Sequence, residues 1–110
     1  MPTNYKVLGQ SAPANTSNAN LYTVPSATEA VISTISITNT TATGAIGRIF
    51  VRPDAATAAT SNAIVYDMTF PANSVIALTL GITLDAADVI TVQTGTANAL
   101  TFQAFGSEIS

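Results

Sequence analysis

Arg48 and Arg52 are the chain's two arginines, and they stand on either side of Phe50 in "GRIFVRP". In an extended strand, alternate side chains project to the same face. Arg48, Phe50 and Arg52 therefore form a cation, aromatic, cation row, with Ile49 and Val51 directed inward on the opposite face. Such a row can meet carboxylates of an acidic neighbour, or it can lay its aliphatic stems over the ring as an ordinary solvated strand face. Tyr5 and Lys6, near the start of the chain, join the three as candidate partner-contact residues.

Little else in the sequence supports chemistry. Histidine is absent, so a serine nucleophile lacks its usual base, and zinc, copper and iron lack their commonest nitrogen ligand. Cysteine is absent too, which removes disulfides and thiolate metal sites and leaves the redox compartment undetermined. Asp85 and Asp88 in "LDAAD" are the closest carboxylate pair, and their placement before a strand suits a turn in which they accept backbone N–H bonds. Calcium needs six to eight oxygens, which this segment does not offer. The six glycines include no phosphate-cradling spacing. We expect no enzyme, no cofactor and no metal. The sequons "NTS" at 15–17 and "NTT" at 39–41 are expected to be incidental in a chain rich in Asn and Thr, because "MPTNYKVLGQ" lacks the apolar region of a signal peptide. Tyr5, Tyr22 and Tyr66 are candidates for a sugar platform. Tyr66 falls on an apolar strand face and Tyr22 beside Leu21, which favours core or rim packing for both.

A chain of 110 residues is one domain's worth. It is 47% hydrophobic but only 8% charged, against about 25% charged in an ordinary soluble domain. A net charge of −3 with three cations gives no basic stripe for nucleic acid, and no apolar run approaches a membrane span. Nucleic acid and membrane are therefore not expected partners, and the chain is expected to be soluble.

The hydrophobic period is two almost throughout. It groups Ile64, Tyr66, Met68 and Phe70; Ile76, Leu78 and Leu80; Ile90 and Val92; and Leu100, Phe102 and Ala104. The Val-, Ile- and Thr-rich "TEAVISTISITN" places Val31, Ile35 and Ile37 together. "YKVLG" and "LYTV" add two shorter strands, and "DAATAAT" lacks an apolar stripe, so it reads as a loop with at most one helical turn. Turn signals such as "PANS", "LDAAD" and "GTAN" separate the strands. The expected fold is all-β: an antiparallel β-sandwich, jelly-roll-like, in a single domain. Residues 1–20 read as an N-terminal strand and extended arm, and residues 21–110 as the sandwich core. The polar, Pro-containing "SAPANTSNAN" is expected to reach across a neighbour and order there.

A lone sandwich exposes edge strands, which monomers usually protect with charge, Pro or bulges. Strands nearly free of lysine suit a surface covered by copies of itself or by a larger scaffold. The strings "YKVLGQ", "LYTVPSATEAVISTISITN", "RIFVRP", "GITLDAADVITV" and "FGSEI" resemble a group of small tailed-bacteriophage virion proteins. The resemblance covers nearly the whole chain except the loops near 54–62 and 94–98. It implies a β-sandwich subunit, often trimeric, that coats or reinforces the capsid, or a similar module in a tail or fibre. On that resemblance the expected role is a capsid decoration, or cement, protein on the virion surface, bridging major capsid proteins as a homo-oligomer. A tail or fibre station and a carbohydrate-binding sandwich are the alternatives.

Overall fold

The computed structural model describes residues 2–110. Nine strands occur among them: β1 (Thr3–Ser11), β2 (Ala19–Thr23), β3 (Glu29–Asn39), β4 (Ala45–Arg52), β5 (Ala63–Phe70), β6 (Val75–Leu78), β7 (Ile82–Leu84), β8 (Val89–Thr94) and β9 (Leu100–Ile109). They form two antiparallel sheets, one ordered β1-β9-β3-β6 with β7 also on β3, the other ordered β2-β8-β4-β5. Strand β6 pairs with Ile35–Thr38 and β7 with Ala30–Ile32, so the two act as one strand interrupted near Gly81, whose φ is +65°. Taken that way, the strand order is that of a jelly roll, in which consecutive strands alternate between sheets at both ends of the chain. The all-β sandwich read from the sequence is the observed architecture.

The sheets are held together by one apolar core. Ile35 and Ile37 of β3, Ile49 of β4, Ile90 and Val92 of β8, and Phe102 of β9 are all fully buried in it. Alternation reads β8 and β9 correctly: Ile90 with Val92, and Leu100 with Phe102 and Ala104, all face inward. It fails on β3 and β5, where bulges insert an extra residue and invert every side chain beyond them. On β3 the register against β9 shifts between Ile32 and Thr34, so Ala30 and Ile32 share the core with Ile35 and Ile37. Val31, expected on the inner face, is only half-buried as a result.

On β5 the register against β4 shifts twice, passing over Asp67 and Ile64. Asp67 adopts a φ of 56° at its bulge. Val65 is consequently buried, and Ile64 and Tyr66, expected to share a face with Phe70, are exposed. Met68 does keep the face of Phe70, with no register shift between them, but stays partly exposed because β5 is an edge strand. Ile76 and Leu78 pack against the core as expected, but Leu80 lies beyond the end of β6 and is exposed. The segment read as a loop with one helical turn carries two short 3₁₀ turns, at Pro53–Ala55 and Thr60–Asn62.

The expected N-terminal strand is present as β1, and the segment after it lies against the sandwich. Strand β1 is integral to its sheet, paired with β9 from Thr3 to Ser11. The polar segment after it folds back onto its own sandwich: Asn98 N–H donates to the Pro13 carbonyl at 3.1 Å and Gln93 Nε2 to the Thr16 carbonyl at 2.7 Å.

Candidate functional site

The arginine row lies on β4, on the outer surface of the β2-β8-β4-β5 sheet. Arg52 is spent internally: Nε donates to the Ala56 carbonyl at 2.6 Å and Nη2 to the Ala55 carbonyl at 3.2 Å. Its Nη1 reaches Thr91 Oγ1 at 3.0 Å and Asn20 Oδ1 at 3.3 Å. This guanidinium fastens the 53–56 turn to β8 and β2. Arg48 grips Asp67 with two bonds, Nε to Oδ1 at 2.7 Å and Nη2 to Oδ2 at 3.2 Å. The carboxylate expected from an acidic neighbour is thus supplied by the chain's own bulge on β5. The hydrogen bond to Asp67 pushes the Arg48 pKa up, and the same bond holds the Asp67 carboxyl below its ordinary value.

These two arginines should differ sharply when removed. Hydrogen bonds to a charged group contribute about 1.5–3 kcal/mol, so Arg52→Ser should lower stability by roughly that much. An exposed ion pair is weakened by solvent and salt, so Arg48→Ser should cost clearly less than Arg52→Ser. Urea denaturation of the two variants checks the ordering; equal losses would show that Arg52 does not fasten the turn.

Around Arg48 the outer sheet surface forms a groove of about 570 Å³. Its floor holds Arg48, Phe50, Tyr66 and Gln93, and its rims are residues 16–18 and 58–60. The Arg48 guanidinium carbon sits 4.1 Å from the Tyr66 ring centroid, and Tyr66 meets Phe50 edge to face with centroids 6.4 Å apart at 82°. Phe50 is 4% exposed, so the row does not leave its aromatic bare, while Tyr66 is 48% exposed. Of the expected contact residues, Arg48 and Phe50 line this groove, whereas Arg52, Tyr5 and Lys6 do not. Sequence reasoning placed Tyr66 on a buried face because it could not see the bulge at Asp67. No sequence motif marks the rim.

Lys6 and Tyr5 lie on β1, on opposite faces. Lys6 faces inward, its Nζ 2.8 Å from Glu108 Oε1, and the Tyr22 hydroxyl donates to Glu108 Oε2 at 2.5 Å. Tyr22 itself packs in the core rim, as expected. An inward charge on an edge strand is one of the devices that discourage edge-to-edge pairing. Tyr5 projects outward and is 85% exposed.

The hydrogen bonds from Lys6 and Tyr22 hold the Glu108 carboxyl below its ordinary value, whereas burial, reinforced by the bond to Glu108, pushes the Tyr22 hydroxyl well above 10. A depressed carboxyl contributes stability above its unfolded value, near about 4.3, and loses it as pH falls through the lower folded value. A raised phenol contributes stability below its unfolded value of about 10, lost progressively as pH rises beyond it. Tyr22→Phe should therefore flatten the alkaline limb of stability against pH and weaken the acid limb. Urea midpoints measured across both limbs check this; an unchanged alkaline limb would remove Tyr22 as its source.

Asp85 and Asp88 sit in the turn before β8. Asp88 Oδ2 accepts the Asp85 N–H and Asp88 Oδ1 the Asp54 N–H, each at 2.8 Å, and Asp85 Oδ1 accepts the Ala86 N–H at 2.8 Å. Among the described residues no group of three or more His, Cys, Asp or Glu side chains is placed to hold a metal ion, and no helix is long and apolar enough to cross a membrane.

No protein-family model matches the chain. No curated protein matches it either. Among solved structures it is similar to a chain in the structure of infectious bursal disease virus Gx strain, at 12% sequence identity and a TM-score of 0.48. The match covers 97% of this chain and 31% of that one, so this chain spans less than a third of the matched chain's length. A likeness this remote assigns neither function nor partner.

Proposed function

We propose that the chain is a virion structural protein, and specifically a capsid decoration subunit that self-associates and bridges major capsid proteins. The observation that carries the reading is the distribution of its nine charged side chains. Lys6 and Glu108 face inward and pair. Arg48, Arg52 and Asp67 lie on the outer surface of the β2-β8-β4-β5 sheet, while Asp54, Asp85 and Asp88 belong to turns joined through the Asp88 carboxylate, which accepts the Asp54 and Asp85 N–H groups. That leaves Glu29, at the start of β3, as the lone charge on the outer face of the β1-β9-β3-β6 sheet.

On that face the registers set Tyr5 beside Ser107 and Val31, and Val7 beside Phe105. Tyr5 is 85% exposed, Val7 49% and, across the sheet on β6, Val75 62%. A broad sheet face with apolar side chains and one charge has the make-up of a surface that neighbours cover, since interface centres are depleted in charge and enriched in aromatics. Together with the resemblance to tailed-phage virion proteins, this favours lateral contacts with copies of the chain and with capsid subunits. A subunit that binds only the mature lattice stabilises it by mass action. The reading assigns no catalytic step.

Copy number tests the station. Quantified against the major capsid protein in purified particles by mass spectrometry, a decoration subunit should be present at a simple lattice fraction of the capsid protein; a few copies per particle would move it to a tail or fibre. The surface is tested separately. The double variant Tyr5→Glu with Val7→Glu should leave folding intact, because exposed substitutions stay within about 0.5 kcal/mol, yet abolish self-association and capsid binding. Unchanged oligomer mass by light scattering, together with undiminished capsid binding, would refute the assigned face.

A further inference from the structure

The groove on the opposite sheet has a different chemistry from the charge-poor face, and we propose that it binds a neutral oligosaccharide. Three features specify that ligand class. The groove's 570 Å³ lies within the roughly 300–1,000 Å³ typical of small-molecule sites. Its floor presents the half-exposed Tyr66 ring, fixed in place by the Arg48 guanidinium on it and Phe50 against it. Sugar rings offer apolar C–H faces that stack on the part of the ring the guanidinium leaves exposed, and a ring already immobilised loses little entropy when it is covered.

The second feature is the supply of hydrogen-bonding groups around that ring. Gln93 spends Nε2 on the Thr16 carbonyl. Among the described residues, no protein hydrogen bond engages its Oε1, the Asn18 amide, or the Thr16, Ser17 and Thr60 hydroxyls. Amides and hydroxyls that both donate and accept match the dual character of sugar hydroxyls. The third feature is electrical. Arg48 is the one charged side chain that lines the groove, and Asp67, just outside the lining, neutralises it through two hydrogen bonds. A phosphate, sulfate or carboxylate ligand would find no free cation there, which selects against anionic glycans and nucleotides.

The assignment does not depend on the proposed role in the capsid. The groove and the charge-poor face lie on opposite sheets, so a subunit docked by one keeps the other open.

The test is a titration of the isotopically labelled full chain, followed by amide NMR, with cellohexaose, maltohexaose, xylohexaose, mannohexaose and chitohexaose in parallel. A heparin-derived hexasaccharide serves as the anionic probe. At least one neutral hexasaccharide should shift the amides of residues 16–18, 58–60, Tyr66 and Gln93 in a saturable way. Tyr66→Ala should weaken that binding at least about tenfold, in line with the loss of a stacked aromatic. Gln93→Ala should also weaken it, and Tyr66→Phe should retain it. The proposal is overturned if no neutral member shifts these amides, if the shifts cluster elsewhere, or if both alanine variants bind as tightly as the parent while their spectra show them folded. Binding of the heparin fragment alone, lost in Arg48→Gln, would overturn the ligand class and establish an anion site.

Discussion

Asn39→Leu is expected to destabilise the chain by about 3–5 kcal/mol, a large part of the roughly 5–15 kcal/mol that holds a domain of this size folded. Asn39 ends β3 and is 1% exposed. Its Nδ2 donates to the Thr43 and Phe70 carbonyls, each at 2.9 Å, and its Oδ1 accepts the Thr41 N–H at 2.9 Å and the Thr41 hydroxyl at 2.7 Å. The amide's donors and acceptor are thus all in use, tying the turn after β3 to the last residue of β5. Leucine has the same branched outline but restores none of these bonds. Each buried group left without a partner costs about 1–3 kcal/mol, which sets the expected loss. Thr41→Val, which removes one of the four bonds, should cost about 1 kcal/mol by the same reasoning. Urea unfolding followed by circular dichroism measures both; an Asn39→Leu loss below about 1 kcal/mol would mean that water reaches the turn and replaces the amide. The same geometry bears on the "NTT" sequon, because an Asn39 nitrogen with both protons engaged is not available for glycan attachment in the folded chain.

Asn39 also shows where sequence reading stops. In the sequence it is one polar residue in a turn signal, and only the return of β5 to its side gives it the Phe70 carbonyl. The strands were legible wherever pairing is regular: the inward sets of β8 and β9 follow from alternation alone. On β3 and β5 the same rule loses phase at Ser33, Ile64 and Asp67, because a bulge is fixed by the neighbouring strand and leaves no mark on the local pattern. The candidate site inherits this error. Arg48 and Phe50 were visible as a row, but the Asp67 partner and the exposed Tyr66 both depend on one bulge. The charge deficit was visible in the composition, yet its concentration on one sheet's outer face was not. That concentration arises because β1 and β9, from opposite ends of the chain, lie side by side.

Gly106→Ala is expected to cost about 3 kcal/mol or more, at or above the upper end of overpacking penalties, although it adds a single methyl group. Gly106 lies on β9 between Lys6 of β1 and Ile32 of β3, beside the β3 bulge. A Cβ built there would overlap the Val31 carbonyl oxygen and stand 3.0 Å from Ile32 Cα. Both obstacles are backbone, so no rotamer change relieves them; β3 must move away from β9. Such a movement works against the bulge that puts Ile32 and Ile35 on the same inner face, and a one-residue slip would turn β3's apolar residues outward. Gly44→Ala provides the control. The nearest obstacle there is the Phe70 carbonyl oxygen at 3.8 Å, an ordinary contact, so its effect should stay within about 0.5 kcal/mol. Paired denaturation curves decide between the two. If Gly106→Ala proved as mild as Gly44→Ala, β3 and β9 would have room to separate at the bulge, and the inward phase of β3 would need another cause. If it is severe, the glycine of "FGSEI" has a steric role: it lets β9 run close enough to β3 for the bulge at Ser33 to form.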